Sequence, residues 1–301
     1  YCKNCKSARY AAVTLFIAGN MKKCLIVVNT HKDESQNLGR MIQSYLAAKS
    51  IESFVFCFDG FSTENPFTGF DFVITLGGDG TVLFAARGCV KNKIPVFPVN
   101  LGEFGFIASI QKNEWQKELD LFLAGKSEVD ERNMLNAALV STRQSEPFSG
   151  IGLNDVVICA KTAARTIMFT VSYNDVPLGT FKADGIIIST ATGSTAYSAS
   201  AGGPIIDPEL DALVLTPINS FSLSSRPLVL SPRGEVGITI LPSRENDVII
   251  TIDGQKPFDL HEGDCIKIRR LQEKVKLVGC TTNKFYGALR SKLNWSGGPH
   301  A

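Results

Sequence analysis

The sequence predicts two folded regions: an α/β domain on an open, mostly parallel sheet, then a β-rich, sandwich-like domain. Three observations predict it. The chain is 301 residues long, more than one hydrophobic core usually organises. Its first part alternates strand-like and helix-like runs in units of about 25 residues, the mark of parallel βαβ connections. Its later part is a series of short β-branched runs between turn signals, the pattern of antiparallel sheets.

The regular text begins at Met21, where Cys24-Leu25-Ile26-Val27-Val28 forms a buried-strand signal bounded by the polar Asn29-Thr30-His31. Residues 35–49 carry Leu38, Met41, Ile42, Tyr45 and Leu46 at helical spacing. Strands are predicted over 51–58, 70–76 and 95–99, and helices over 82–90 and 115–123. Beyond these, strands are predicted over 134–141, 155–160, 167–173, 185–190, 237–241 and 248–252. Turn signals separate them: Tyr173-Asn174-Asp175-Val176-Pro177, Ser231-Pro232-Arg233-Gly234 and Asp253-Gly254. The expected division is an atypical extension over 1–20, an α/β domain over 21–132 and a β-rich domain over 133–271.

Composition narrows the function classes. The chain is 44% hydrophobic and 20% charged, as expected of a globular protein with a real core. A net charge of +2 argues against a nucleic-acid binder working through a broad basic field, while leaving room for local phosphate-binding groups. No apolar run of about 18 residues occurs, so no membrane-spanning helix is expected. The eight cysteines are scattered and read as reduced thiols of a cytoplasmic protein. Cys2 and Cys5 have a C-x-x-C spacing, but no second pair follows at zinc-site distance.

Gly77-Gly78-Asp79-Gly80-Thr81 lies where a strand ends and a helix begins. In an open α/β sheet, ligands bind at that edge. Glycines let the backbone approach a phosphate, and a helix start offers free N–H groups to an anion. A carboxylate in such a loop repels phosphate, so the presence of Asp79 calls for a chemical reason. It could accept a proton from an attacking hydroxyl, or hold a divalent cation. The structural alternative is a tight turn in which Asp79 caps the helix. The loop matches neither a Walker A nor a Rossmann glycine pattern.

A second segment runs from Asp184 through Gly185-Ile186-Ile187-Ile188 into Ser189-Thr190-Ala191-Thr192-Gly193-Ser194-Thr195-Ala196-Tyr197, then Ser198, Ala199, Ser200, Gly202 and Gly203. Small and hydroxyl side chains let a backbone approach a flat ligand and offer hydrogen bonds, and Tyr197 adds a ring for stacking. The structural alternative is a capped helix start packed tightly on a neighbour.

Residues 77–81, the pair Asn154-Asp155, and 184–197 with Gly202-Gly203-Pro204 strongly resemble the three ordered signatures of the NAD kinase family. Asn100-Leu101-Gly102-Glu103-Phe104-Gly105-Phe106, Leu223-Ser224-Ser225-Arg226-Pro227-Leu228-Val229 and Asp253-Gly254-Gln255 resemble further family segments, so the likeness spans residues 21–290. The resemblance implies the same two-domain fold, with residues 272–301 returning to the first domain. It implies phosphorylation of the adenosine ribose 2′-hydroxyl of NAD to give NADP. ATP or polyphosphate would be the donor and Mg²⁺ or another divalent cation the cofactor. A homodimer or homotetramer is implied, with no nucleic acid or membrane partner.

By the same resemblance Asp79 would be the catalytic base, and Gly77, Gly78, Gly80 and Thr81 the phosphate-proximal loop. Asn154 and Asp155 would position the adenosine part, Phe106 would wall the adenine pocket, and Asp184 would reach the nicotinamide half. Thr195, Ala196, Tyr197, Ser198, Ala199 and Ser200 would line the dinucleotide cleft, with Gln255 near a substrate phosphate or ribose. Lys182 keeps a cation where arginine is frequent, losing the bidentate fork, and Arg165 would contact the ligand or a neighbouring subunit. Two further departures are Ala191 in place of a usual proline and Asp155, one methylene shorter than the frequent glutamate.

Two rival readings follow from the residues. A lipid kinase of the diacylglycerol or sphingoid type shares the Gly-Gly-Asp-Gly turn, but needs neither the Asn-Asp pair nor the 184–197 segment. A non-catalytic dinucleotide sensor gains little from a carboxylate beside phosphates, so Asp79 argues against it. His31, His261 and His300 are isolated and lack metal-ligand spacing.

Overall fold

The computed structural model describes residues 21–62, 64–102, 105–140, 148–243 and 247–293. The predicted extension over 1–20, with Cys2 and Cys5, lies outside them, as do Glu103, Phe104, Ser141 and His300. The chain divides into two compact units: the first runs to Glu131 and resumes at Lys276, and the second is Arg132–Val275.

The first unit contains β1 (Lys23–Asn29), α1 (Asp33–Ala48), β2 (Glu52–Phe58), β3 (Phe72–Gly77), α2 (Asp79–Cys89), β4 (Val96–Asn100), β5 (Ile110–Gln111), α3 (Trp115–Leu123) and β6 (Val129–Arg132). A returning strand, Val275–Val278, and a helix, Thr282–Leu293, complete it. The sheet runs β2-β1-β3-β4-returning strand-β6, with β5 beside β4. The pairs β1–β2, β1–β3, β3–β4 and those of β4 with β5 and the returning strand are all parallel. β3 and β4 are buried throughout, as expected of parallel strands covered on both faces. Leu38, Ile42 and Leu46 of α1 and Trp115, Leu119 and Phe122 of α3 pack with Ile26, Phe72 and Phe97 of the sheet. β2 and β3 flank β1 on opposite sides, so the chain reverses its direction of travel across the sheet at β1/β3. A crevice opens outside the carboxyl ends of the strands at such a switch point, and the Gly77–Thr81 turn leaves β3 there.

The second unit is all antiparallel, with β7 (Leu135–Val140), β8 (Ser149–Gly152), β9 (Asp155–Ala160), β10 (Ile167–Tyr173), β11 (Val176–Ala183) and β12 (Gly185–Thr190). A 3₁₀ turn, Thr192–Thr195, and a short helix, Tyr197–Ser200, precede β13 (Leu213–Ile218), β14 (Leu228–Leu230), β15 (Glu235–Leu241), β16 (Val248–Ile252), β17 (Phe258–Leu260) and β18 (Cys265–Arg270). They form two six-stranded sheets, β11-β10-β15-β18-β7-β8 and β14-β13-β12-β9-β16-β17. Ile167, Phe169, Val171 and Ile238 of the first sheet share a core with Ile158, Ile186, Ile188 and Ile250 of the second, which makes the unit a β-sandwich. β12 is buried on both faces: Ile187 turns away from that core to pack with Val157 and Ile218 against Ala201, just past the short helix. Asn174 and Asp175 have φ of 51° and 61°, the type I′ turn that joins β10 to β11.

The structure confirms an α/β region followed by a β-rich one and adds strands that local patterning understates. β11 carries Pro177, the end of a predicted turn signal, yet it is the outermost strand of its sheet, where a missing N–H is tolerated. Pro217 similarly masks β13; its neighbour β14 pairs only with Leu213–Leu215, leaving no partner on that side of the proline. α2 begins three residues before the predicted start, with Gly78 and not Asp79 as its cap. No helix of the described residues is long and apolar enough to cross a membrane.

The alternation in β10 sets an expected outcome: Phe169→Ala should cost ~3–5 kcal/mol in urea unfolding, while Thr170→Ala, half-buried on the opposite face, should cost about 1 kcal/mol or less. Equal effects would contradict the assigned faces.

Candidate functional site

The glycine turn is fixed from below and open above. A Cβ on Gly77 would lie 2.2 Å from Thr81 Oγ1 and 3.1 Å from Asn29 Cβ, so only glycine ends β3 here. Thr81 is buried, and its hydroxyl oxygen accepts from Asn29 Nδ2 at 3.2 Å, tying the end of β1 to the first turn of α2. A Cβ on Gly78 or Gly80 would meet no atom. Their lack of side chains leaves free ground beside the start of α2, where exposed N–H groups favour an anion.

Asp79 is the first helical residue, half-buried. Its Oδ2 accepts from Phe106 N at 3.1 Å, and Oδ1 accepts from Ile107 N at 3.3 Å and Ala108 N at 2.9 Å. Bonds from N–H groups to a carboxylate are stronger than neutral ones, so the side chain holds the 106–108 backbone in place. A Cβ on Gly105 would come within 2.2 Å of Asp79 Oδ1, which explains a glycine one residue before the cradle. The far side of the cradle is anchored too: Cys280 Sγ donates to Ile107 O at 3.1 Å and Ser109 Oγ to Gly279 O at 2.9 Å. The Phe106 ring packs 6.0 Å from that of Phe285, with Lys292 Nζ 5.5 Å from its centre.

The second unit repeats the device. Asp253 Oδ2 accepts from Leu153 N at 2.9 Å, and Oδ1 accepts from Asn154 N at 2.8 Å and Asp155 N at 3.2 Å. Asn154 O accepts from Thr190 N at 2.9 Å, and a Cβ on Gly193 would strike that oxygen at 2.0 Å. Thr190 Oγ1 donates to Leu153 O at 2.6 Å and accepts from Gly193 N at 3.0 Å. The Asn-Asp pair and the start of the small-residue segment therefore form one rigid piece. Asp155 is 5% exposed, and burial first, then the charge of Asp253, push its carboxyl up to about 7.

The remaining predicted residues fall into distinct settings. Asp184 Oδ2 accepts from Asn219 Nδ2 at 3.0 Å. Lys182 places Nζ 5.0 Å from the centre of the Phe221 ring. Thr195 Oγ1 donates to Thr192 O at 3.1 Å, and Ser198, fully buried, shares a 2.9 Å hydrogen bond with Thr216, so both serve the local fold. Tyr197 is 48% exposed and Ser200 exposed, whereas Ala196 and Ala199 are half-buried. Gln255 Nε2 donates to Asp253 O at 3.4 Å, which joins it to the Asn154 region, and Arg165 is exposed between β9 and β10. Asn29, Ser109, Cys280 and the acceptor role of Asp253 are not visible in local sequence; only the turn signal at Asp253-Gly254 points to the last. Among the described residues no three His, Cys, Asp or Glu side chains converge as a metal site.

Comparison with known proteins agrees with this architecture. The model of the ATP-NAD kinase N-terminal domain matches residues 63–127, and that of the ATP-NAD kinase C-terminal domain matches 153–280. An NAD kinase of Treponema denticola is 48% identical over 92% of this chain and 98% of its own length. One from Treponema pallidum is 41% identical over 91% and 90%. The chain belongs to the NAD kinase family. Two solved structures share its fold: a yeast NADH kinase complexed with NADH, at TM-score 0.82, 21% identity and coverage of 93% and 89%, and an Archaeoglobus fulgidus NAD kinase in complex with ATP, at 0.73, 24%, 90% and 99%.

Asp155 generates a pH-dependent outcome. Its folded carboxyl titrates near 7 against an ordinary 3.8, so the folded chain holds that proton more tightly between those values. Ionising it therefore opposes folding increasingly from pH ~4 to ~7, and the cost is complete above that range. Asp155→Asn removes the cost: the variant should match the parent near pH 4 and exceed it at pH 8 by on the order of 4 kcal/mol. Denaturant titrations at both pH values check this, and a difference independent of pH would refute it.

Proposed function

We propose that this chain is an NAD kinase, transferring the terminal phosphoryl group of ATP to the adenosine ribose 2′-hydroxyl of NAD to give NADP and ADP. The observation that carries the chemistry is Asp79, whose carboxylate is held by three backbone N–H groups and which lies within the open glycine turn. Oδ1 accepts two of those bonds and Oδ2 only one, which leaves Oδ2 with a lone pair for an incoming proton. As the ribose oxygen bonds to phosphorus, its proton passes to Oδ2, and the bond from phosphorus to the ADP oxygen breaks. A ribose hydroxyl is a weak nucleophile, and transfer to a charged phosphoryl group depends on positioning and charge stabilisation more than on covalent help.

Asn154 and Asp155 suit the adenosine part, offering an amide and a carboxyl that titrates near neutrality, on a backbone held by Asp253 and Thr190. Gly78 and Gly80 keep the α2 start clear for phosphates. The divalent cation of the proposed reaction enters as part of the donor, carried on its phosphates. The 48% identity to an NAD kinase over nearly the whole chain supports the same reaction.

The test is NADP formation by the purified chain with NAD, ATP and Mg²⁺, with polyphosphate as a second donor. Asp79→Asn should lower kcat by ~10²-fold or more while KM for NAD stays within about threefold. Near-normal turnover in that variant would refute the base assignment. A folded parent that binds NAD but makes no NADP with either donor is a dinucleotide sensor instead.

A further inference from the structure

We propose that Asp253 is a positioning residue for NAD recognition, aiming the Asn154 amide by gathering the backbone N–H groups of Leu153, Asn154 and Asp155. The inference rests on the reading of Asn154 as an NAD-binding residue. Asp253 is 8% exposed and begins a type I′ turn: its φ is 49°, that of Gly254 is 65°, and Gln255 N donates to Ile252 O at 3.0 Å. Asparagine or glycine suits this backbone at least as well as aspartate. What those residues lack is a second acceptor oxygen, and three consecutive N–H groups require it. Asp253 N also donates to Asp155 O at 3.0 Å, closing the link in both directions.

The consequence falls on Asn154. Its N–H is held by Asp253 and its carbonyl by Thr190 N, with Gly193 packed close against that carbonyl. Its side-chain amide has no hydrogen-bond partner among the described residues and is half-buried. A main chain fixed on both sides of an unengaged amide is a preorganised binding group: the ligand meets it already aimed. Asp253 makes no claim to the ligand itself; it acts through Asn154.

A double-mutant cycle on the full chain tests this. Asp253→Asn keeps shape and one acceptor but turns an NH₂ toward backbone N–H groups. It should raise both the calorimetric Kd and the KM for NAD about tenfold or more, with kcat and the KM for ATP within about threefold. Asn154→Ala should do the same, and the double variant should be no worse than Asn154→Ala alone, because both changes remove one contact. Additive losses, or a lower kcat with unchanged KM for NAD, would overturn the proposal in favour of a purely structural role. If Asp253→Asn does not fold, Asp253→Ser carries the same cycle, since its hydroxyl accepts at most part of the triplet. A parent that binds NAD but makes no NADP sinks the kinase reading and leaves the cycle standing on Kd. A parent that does not bind NAD overturns both.

Discussion

Three successive backbone N–H groups pointing the same way, away from any strand partner, demand an acceptor. Left unpaired and shielded from water, each costs as much as a lost hydrogen bond. This protein answers the demand twice with one aspartate: Asp79 for Phe106, Ile107 and Ala108, and Asp253 for Leu153, Asn154 and Asp155. An ionised carboxylate is the side chain suited to it, being acceptor-only with room for several bonds. Much of the surrounding sequence follows from that constraint. Gly105 is needed because a Cβ would strike the Asp79 carboxylate, and Gly193 because a Cβ would strike the Asn154 carbonyl. Ser109 and Cys280 brace the first cradle, and Thr190 braces the second.

The two cradles differ in what they leave available. Asp79 is half-buried at the head of α2, beside glycines whose missing side chains open space, so its carboxylate is an anchor placed where the proposed reaction needs a base. Asp253 is buried and anchors its turn, while the half-buried side-chain amide of Asn154, which it holds, has no hydrogen-bond partner among the described residues. A base needs a free lone pair and a fixed direction, and a binding turn needs a fixed backbone with its side chains spare. On the proposed reading, the same bond pattern serves both. Burial of Asp155 beside a second carboxylate, which pushes it to about 7, is the electrostatic cost of packing the turn this tightly.

Much of this is legible in sequence. Alternation of strands and helices announces the parallel sheet, and the order Gly-Gly-Asp-Gly, Asn-Asp and the small-residue segment announces the family. Legibility fails where meaning depends on distant partners. Pro177 reads as part of a turn, and β13 with its Pro217 is missing from the predicted strands, because a local pattern cannot tell which side of a strand lacks a neighbour. β18, with Ile266 and Ile268 buried and Lys267 facing out, alternates cleanly, so it is a strand that local pattern could reveal but that the predicted elements leave out. The hydroxyls of Thr81 and Ser198 make internal bonds that sequence does not show, because hydroxyl-rich sequence does not reveal which hydroxyls face inward. Asp253 reads as a turn residue; the acceptor role lies in a pairing about 100 residues away in sequence, which no window spans.

The most direct measurement is amide hydrogen exchange on the purified chain, read residue by residue at Phe106, Ile107, Ala108, Leu153, Asn154 and Asp155. Both triplets are expected to exchange far more slowly than unstructured peptide, although none of the six N–H groups of the triplets owes its protection to a strand or helix ladder. Exchange at unprotected rates in either triplet, with β3 and the rest of β9 still protected, would contradict the claim that each carboxylate organises its own turn.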